Sequence, residues 1–234
     1  MKRFGVGGLV LVLMAGSLFL CFEVNGSLSV LSALAWTSNV AVPGAPQATP
    51  TPTPGGAGSL AAYGLSGDVT CRAAEPPTDS PWLAVARSDA GKYQIDALAF
   101  EWKIWQESGF NPNVHNSSAG AIGIAQFMPA TAQGMGIDPT NPAQALDASA
   151  RLDAGHIKNY VAHALLLADH YGGSSARYGY ALALAAYNAG PGALESAWNR
   201  AFSGDWPGSP WAWLAQMAGE TQRYVPNILG CSTQ

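Results

Sequence analysis

Glu107 is the side chain best placed in this sequence to do chemistry. It stands where a helical pattern stops at Gly109, and a glycine-spaced segment ending in Gln126 follows soon after. Unpaired carbonyl groups at a helix C-terminus disfavour an anion, as do apolar neighbours such as Trp105 and Phe110, so both effects predict a raised pKa. A carboxylic acid still protonated near neutral pH can donate a proton to the departing oxygen of a glycosidic bond. A solvated helix-end glutamate is the alternative.

The elements that must position this acid are predicted to be helices. Asp96 is a good N-cap for a helix over 97–108, Gly109 supplies its left-handed end, and Pro112 prevents the helix from restarting. Apolar spacing predicts further helices, and no alternating strand pattern stands out. The predicted helices run over 81–88, 97–108, 129–133, 147–171, 176–189 and 210–224. The expected fold class is all-α.

Three further segments carry polar groups next to predicted helix ends. The run 120–126 predicts a close backbone turn that presents the amide of Gln126. Tyr187 and Asn188 precede a Gly-Pro stop, and Tyr224 closes the last predicted helix. The alternative for each tyrosine is a core aromatic with a satisfied hydroxyl, and for Asn188 it is a helix cap.

Taken in order, these segments resemble the catalytic domain of the lytic transglycosylases, lysozyme-like enzymes that cut the glycan strand of peptidoglycan. The resemblance spans about residues 81–229 and includes the Glu-Ser pair, the glycine turn with its Gln, an Ala-Tyr-Asn segment and a Tyr-Val segment. It implies a lysozyme-like helical domain with a substrate cleft, in which Glu107 is the catalytic acid and then the base. The residues it implies for substrate binding are Ser108, Gln126, Tyr187, Asn188 and Tyr224.

The mechanism implied by this resemblance needs one catalytic carboxylate. The 2-acetamido group of the muramic acid residue would assist departure of the leaving oxygen, and its C6 hydroxyl would then attack C1 to leave a 1,6-anhydro end. A hydrolytic lysozyme is the alternative if Glu220, or one of the expected caps Asp138, Asp147 and Asp153, faces Glu107 across the cleft. A wall-binding module that has lost turnover is the second alternative.

Other chemistries find less support in the sequence. His156, His163 and His170 recur every seven residues, which places them about 10 Å apart along one helix, too far to share a metal ion. No cofactor motif is present, and a net charge of −4 offers no basic footprint for nucleic acid. Lys103 lies one turn before Glu107, and we predict that it points away from the acid. The sequence leaves the oligomeric state open.

Aromatic residues are concentrated between the last two predicted helices. They are candidates either for stacking on sugar rings in the cleft or for pinning a loop to the core. This group consists of Trp198, Phe202, Trp206, Trp211 and Trp213.

The chain divides by composition into three regions. Residues 1–23 carry Lys2 and Arg3 before an apolar run over 4–22, which predicts an uncleaved membrane anchor, with a cleaved signal as the alternative. Residues 24–67 are a linker rich in Pro, Thr and Gly, and residues 68–234 are one catalytic domain. The predicted location is the bacterial cell envelope, with peptidoglycan and the cytoplasmic membrane as partners. In an oxidising compartment Cys71 and Cys231 would be free to pair, and we predict a disulfide between them.

Overall fold

The computed structural model describes residues 9–14, 17–24, 27–30, 60–116 and 120–233 of the 234-residue chain. These fall into two units, Met1–Thr51 and Pro52–Gln234. The first unit contains a three-stranded antiparallel sheet in the order β1 (Leu9–Met14), β2 (Ser17–Val24) and β3 (Ser27–Val30). Its register pairs Leu9 with Phe22 and Cys21 with Val30.

The described part of the predicted membrane segment is therefore strand, where a helix was expected. An uninterrupted apolar run fits a buried helix or a strand equally well, and Val and Phe favour strands, so the pattern alone could not decide. Within the part of the chain that the structure describes, no helix has the length and apolarity needed to cross a membrane. Most of the predicted linker, residues 31–59, lies outside the described residues.

The second unit is helical. A 3₁₀ helix at Leu60–Tyr63 precedes the α-helices, and a hairpin of two short strands, β4 (His115–Asn116) and β5 (Ala121–Ile122), follows α2. The predicted helical class holds for this unit apart from that hairpin. The helices are α1 (Trp82–Lys92), α2 (Ala97–Ser108), α3 (Pro129–Met135), α4 (Pro142–Asn159), α5 (Val161–Tyr171), α6 (Ser175–Ala189), α7 (Pro191–Ala201), α8 (Ala212–Ala215) and α9 (Gly219–Leu229).

Helix α6 is the centre of the packing. All its residues from Ser175 to Ala186 except Arg177 are buried, and it packs against α4, α5, α7 and α9. Its alanines and Gly179 let neighbours approach closely, since a β-carbon at Gly179 would lie 2.5 Å from the Leu65 side chain. Helix α2 packs between α1 and α9, which places its C-terminal end beside α9.

Several helix boundaries differ from those predicted. The segment predicted as one helix over 147–171 is two helices, α4 and α5, separated by Tyr160 at φ −106° and ψ 13°. Helix α6 ends at Ala189 before the predicted Gly-Pro stop, but Pro191 also begins α7, where proline lacks only an N–H that has no partner anyway. The segment 210–224 is divided into α8 and α9, and α9 continues through Pro226 to Leu229.

The packed unit begins before the predicted boundary at residue 68. Leu60 and Leu65 are 0% and 1% exposed and belong to the hydrophobic core. The backbone of Ser66 also bonds to the start of α6, through its N–H to Ser175 Oγ at 2.8 Å and its carbonyl to the Ala176 N–H at 3.0 Å. Part of the segment assigned to the linker is thus integral to the helical domain.

Cys71 and Cys231 are joined by a disulfide in this unit, with their Cα atoms 5.2 Å apart. The segment around Cys71 is also hydrogen-bonded to the end of α9. The Cys71 N–H and the Thr70 hydroxyl both donate to the carbonyl of Leu229, at 2.8 and 2.7 Å. The predicted pairing of the two cysteines is thus present in the structure.

Candidate active site

Glu107 lies in the last turn of α2, where its carboxyl meets α9. The helix starts with the Asp96 side chain accepting a hydrogen bond from the Ala99 N–H at 2.8 Å, and it ends with Gly109 at φ 61°. The half-buried Glu107 side chain accepts a hydrogen bond from the Tyr224 hydroxyl through Oε1. The predicted acid is therefore in direct contact with Tyr224, which the resemblance implied as a substrate-binding residue.

Burial raises the pKa of Glu107 to about 7, above its ordinary value of 4.5. The Tyr224 hydrogen bond and the positive charge of Lys103 oppose this rise, because both favour the carboxylate. The charges of Asp153 and Glu220 add to it. A carboxyl with this pKa can both give and take a proton near neutral pH.

The glycine-spaced turn faces the end of α2. Gly123 adopts φ 76°, and a β-carbon there would lie 2.1 Å from the Pro139 carbonyl oxygen, so the turn requires glycine at this position. Gln126 also has a positive φ, 51°, and its side-chain amide donates to the carbonyls of Gly123 at 2.8 Å and Val114 at 3.2 Å. The Gln126 amide group thus stabilises the turn, and Gln126 also lines the cleft.

Ser108, which the resemblance implied as a substrate-binding residue, makes a hydrogen bond within the protein. Its hydroxyl donates to the Ile124 carbonyl at 2.6 Å, which ties the end of α2 to the glycine turn. Ser108 is not among the described residues that line the cleft. The structure therefore gives it a supporting contact between the acid's helix and the turn.

Tyr187 and Asn188, at the end of α6, connect the turn to α9. The Tyr187 hydroxyl donates to the Ala125 carbonyl at 2.8 Å and accepts from Ser149 at 3.2 Å. Asn188 accepts from the Thr221 hydroxyl at 2.6 Å and donates to Glu220 Oε1 at 3.4 Å. Both residues line the same cleft as Glu107.

The cleft between these elements has a volume of about 460 Å³. Five predicted site residues line it, namely Glu107, Gln126, Tyr187, Asn188 and Tyr224. Glu220 also lines the cleft, whereas the sequence predicted it only as a second acid for hydrolysis, and the rest of the lining was not predicted. Those residues are Gln106, Ala121, Met128, Arg223 and Asn227. Glu220, Arg223 and Asn227 are three and four residues apart, so they lie on one face of a helix. This spacing could have predicted that they line the cleft together.

Lys103 forms no ion pair with Glu107 in the described structure, as predicted. Its buried ammonium bonds to Asp153 Oδ1 at 2.7 Å and Ser149 Oγ at 2.9 Å. Asp153 was expected to cap a loop or a helix start, but it lies inside α4 with no exposed surface, because it neutralises this lysine. Asp147 also lies within α4, where it pairs with Lys92, whereas Asp138 accepts from the Thr140 N–H as an expected cap.

The three histidines do not share one helix. His156 belongs to α4, whereas His163 and His170 belong to α5, so the single face expected from their spacing is interrupted at Tyr160. Across the described residues, no group of three or more His, Cys, Asp or Glu side chains is placed to hold a metal ion.

The aromatic group after α6 packs away from the cleft. Trp213 is fully buried, and Trp206, which is 42% exposed, stacks on His170 with ring centroids 4.2 Å apart. None of these five aromatic side chains is among the residues that line the cleft. They serve the core and the α5 surface, so the lining of the cleft is mostly polar.

Two comparisons with known proteins gave a match. Residues 85–205, just over half of the chain, match the family model described as the transglycosylase SLT domain. A solved structure, an inactive mutant of the lytic transglycosylase Slt from Pseudomonas aeruginosa, aligns with a TM-score of 0.47 and 20% identity. The alignment covers 63% of this chain and 23% of that one, so the chain spans under a quarter of that protein's length. On the family match, this chain belongs to the transglycosylase SLT domain family.

Proposed function

We propose that this protein cleaves the β-1,4 bond between N-acetylmuramic acid and N-acetylglucosamine in peptidoglycan and leaves 1,6-anhydro ends. The observation that carries the proposal is the carboxyl of Glu107, which faces a polar cleft, accepts a hydrogen bond from Tyr224 and has a pKa of about 7. Membership of the transglycosylase SLT domain family supports the same reaction class.

The first step would use Glu107 as an acid. The protonated carboxyl donates its proton to the glycosidic oxygen as the bond to C1 breaks, and the 2-acetamido oxygen of the muramic acid residue assists from the other face. In the second step the ionised Glu107 takes the proton of the C6 hydroxyl as that oxygen attacks C1. The two steps balance, because Glu107 donates one proton in the first step and regains one in the second, and no water is consumed.

The cleft offers neutral polar groups suited to an amino-sugar chain. Gln126, Asn188 and Asn227 present amides at its wall, and Met128 adds an apolar surface that is 47% exposed. Amide groups can pair with the hydroxyl and acetamido groups of a glycan. We assign the role of substrate contact to Gln126, Tyr187 and Asn188, and the role of orienting the acid to Tyr224.

A hydrolytic lysozyme is the second candidate, and one observation favours it. Glu220 lines the same cleft as Glu107, and it accepts a hydrogen bond from Asn188. A second carboxylate in the cleft could activate a water molecule, as inverting glycosidases do. The two reactions differ in their products, since hydrolysis leaves reducing ends and intramolecular attack leaves anhydro ends.

We propose that the protein acts in the bacterial cell envelope, outside the cytoplasm, because peptidoglycan lies there. The basic start and apolar run of the sequence favour export, and the Cys71–Cys231 disulfide suits an oxidising compartment. The protein either stays attached to the membrane by its N-terminal segment or is released after that segment is cleaved. N-terminal sequencing of the protein from membrane and secreted fractions separates them.

The test is digestion of purified peptidoglycan by the full chain, followed by mass analysis of the fragments. Anhydro ends, which carry one water less than reducing ends, are expected. The Glu107→Gln variant should lose turnover by about 10²- to 10⁴-fold, because the amide cannot donate the required proton. Asp205→Asn is the matched control, since Asp205 is an exposed carboxylate outside the cleft.

The alternatives give different results in the same assay. Reducing ends that disappear in the Glu220→Gln variant would establish hydrolysis and overturn the transglycosylase proposal. Binding of peptidoglycan without cleavage by the unmutated chain would identify a wall-binding module. Full activity of Glu107→Gln would exclude this carboxyl as the acid.

A further inference from the structure

Lys103 is a charged residue in the core of the domain. It lies on α2 one turn before Glu107 and is 0% exposed. Its ammonium bonds to Asp153 Oδ1 at 2.7 Å and to Ser149 Oγ at 2.9 Å, both on α4. Apolar side chains of similar volume often stabilise a core as well as a buried ion pair does, so stability alone is a poor explanation for this one.

A continuous chain of hydrogen bonds runs from this lysine to the glycine turn. Ser149 Oγ lies 3.2 Å from the Tyr187 hydroxyl, which in turn lies 2.8 Å from the Ala125 carbonyl oxygen. The ammonium can only donate and the carbonyl can only accept, so both hydroxyl protons must point toward the turn. The lysine therefore sets the direction of the whole chain, which ends at the residue before Gln126.

The ammonium also touches the wall of the cleft directly. It lies 3.2 Å from the centroid of the Tyr187 ring, where a cation is attracted by the electrons of the aromatic face. Tyr187 lines the cleft beside Glu107. Two contacts of different kinds thus hold this tyrosine, one at its ring and one at its hydroxyl.

We propose that Lys103 is a positioning residue for the reaction proposed above: its buried ammonium, neutralised by Asp153, fixes Tyr187 and the turn that carries Gln126 against the helix that carries Glu107. This inference rests on the proposed function. Lys103 acts through Ser149 and Tyr187 and does not itself line the cleft.

The charge of Lys103 reaches Glu107 as well. Charged and titratable groups face this carboxyl or line its cleft from four helices: Lys103 of α2, Asp153 of α4, Tyr187 of α6, and Glu220, Arg223 and Tyr224 of α9. Lys103 and Asp153, which form the buried ion pair, act on Glu107 in opposite directions. The positive charge of Lys103 lowers the pKa of Glu107 more than the negative charge of Asp153 raises it. Loss of both charges should therefore raise the pKa of the acid.

The test compares the full chain with the double variant Lys103→Met, Asp153→Leu in peptidoglycan cleavage. Removing both charges avoids an unpaired buried ion, so the variant should remain folded. We expect kcat to fall on the order of 10- to 100-fold because the turn and Tyr187 lose their alignment. The decline of kcat/KM on the basic side should also move to higher pH.

A second variant separates the alignment of Tyr187 and the turn from the effect of the Lys103 and Asp153 charges on Glu107. Ser149→Ala interrupts the hydrogen-bond chain but keeps the ion pair, so it should lower kcat without moving the pH dependence. The matched control is Arg87→Met with Glu101→Leu, which removes an ion pair that joins α1 to α2 outside the cleft, with 2.8 Å between Arg87 Nε and Glu101 Oε1. This control should change thermal stability and leave both kcat and the pH dependence unchanged.

The outcomes distinguish this inference from the function on which it rests. Wild-type kcat and pH dependence in a folded double variant would overturn the positioning role alone. If the double variant does not fold, wild-type kcat in Ser149→Ala overturns it. No cleavage by the unmutated chain would overturn the proposed function and this inference with it.

Discussion

The raised pKa of Glu107 has a cost in folding stability. The folded protein binds this proton up to a pH of about 7, whereas the unfolded chain releases it near 4.5. The stability that the proton contributes is complete below pH 4.5 and is lost as the pH rises through 7. Near and above neutral pH, the fold therefore carries an ionised carboxyl in a place that disfavours the charge.

Replacing Glu107 with Gln should make the protein more stable at high pH. The neutral amide does not titrate, so the variant should gain up to about 3 kcal/mol over the unmutated chain between pH 4 and pH 8. Urea unfolding of both proteins at the two pH values measures this gain. An equal difference in stability at both pH values would show that the carboxyl is not held protonated by the fold.

Tyr224 should set the pH at which activity declines. Its hydroxyl donates to the carboxylate of Glu107 and so lowers the pKa that burial raises. In Tyr224→Phe that bond is absent, and the decline of kcat/KM on the basic side should move upward by about 1 pH unit. A pH profile of peptidoglycan cleavage measures this, and a shift to lower pH would contradict the assigned role.

Local signals in the sequence predicted some elements accurately. Helix α2 has the predicted bounds, because its N-cap Asp96 and its left-handed Gly109 both act through neighbouring backbone groups. The break at Tyr160 and the new helix at Pro191 were not predicted. Neither position carries a clear local signal in the sequence. Tyrosine is common within helices, and proline can either end a helix or begin one.

The residues of the candidate site could be predicted where they belong to recognisable sequence motifs. Helix ends and the glycine turn pointed to Glu107, Gln126, Tyr187, Asn188 and Tyr224, and the family resemblance implied their roles. The structure brings all five to one cleft. The Lys103–Asp153 pair was not predicted, because the two residues are far apart in sequence and meet only when α2 packs near α4. The motif that assigned Ser108 to the substrate could not show that its hydroxyl bonds to Ile124.

The glycine turn offers a test in which two similar residues should behave differently. Gly120 and Gly123 have φ values of 75° and 76°, but only at Gly123 would a β-carbon meet backbone, 2.1 Å from the Pro139 oxygen. Gly120→Ala should cost about 1 kcal/mol for its backbone conformation alone. Gly123→Ala should cost several times more and reduce cleavage, because the turn must move away from Pro139 and would displace Gln126.

Denaturant unfolding and peptidoglycan cleavage of the two alanine variants give the comparison. Their difference in stability isolates the steric contact with Pro139 from the backbone strain that they share. Equal stability and activity in the two variants would mean that the turn can relax, and that its close packing does not position Gln126.

The helical unit as a whole is closed by contacts between its two ends. The Cys71–Cys231 disulfide joins residues 160 apart in sequence, and hydrogen bonds from Thr70 and Cys71 reach the Leu229 carbonyl at the end of α9. The guanidinium of Arg72 lies 3.8 Å from the centroid of the Trp102 ring on α2. These contacts hold α9, which carries Tyr224, beside the helix that carries Glu107.

Removing the disulfide should therefore lower stability and leave the site intact. On the chain-entropy model a loop of this length contributes about 5 kcal/mol by restricting the unfolded chain, and strain in the folded state reduces that figure. The variant Cys71→Ser with Cys231→Ser should unfold at lower denaturant concentration yet keep its kcat/KM at 25 °C, because the other contacts between the ends persist in the folded state. Loss of activity in a variant that is still folded would show instead that the crosslink positions α9, and hence that Tyr224 depends on it to reach the acid.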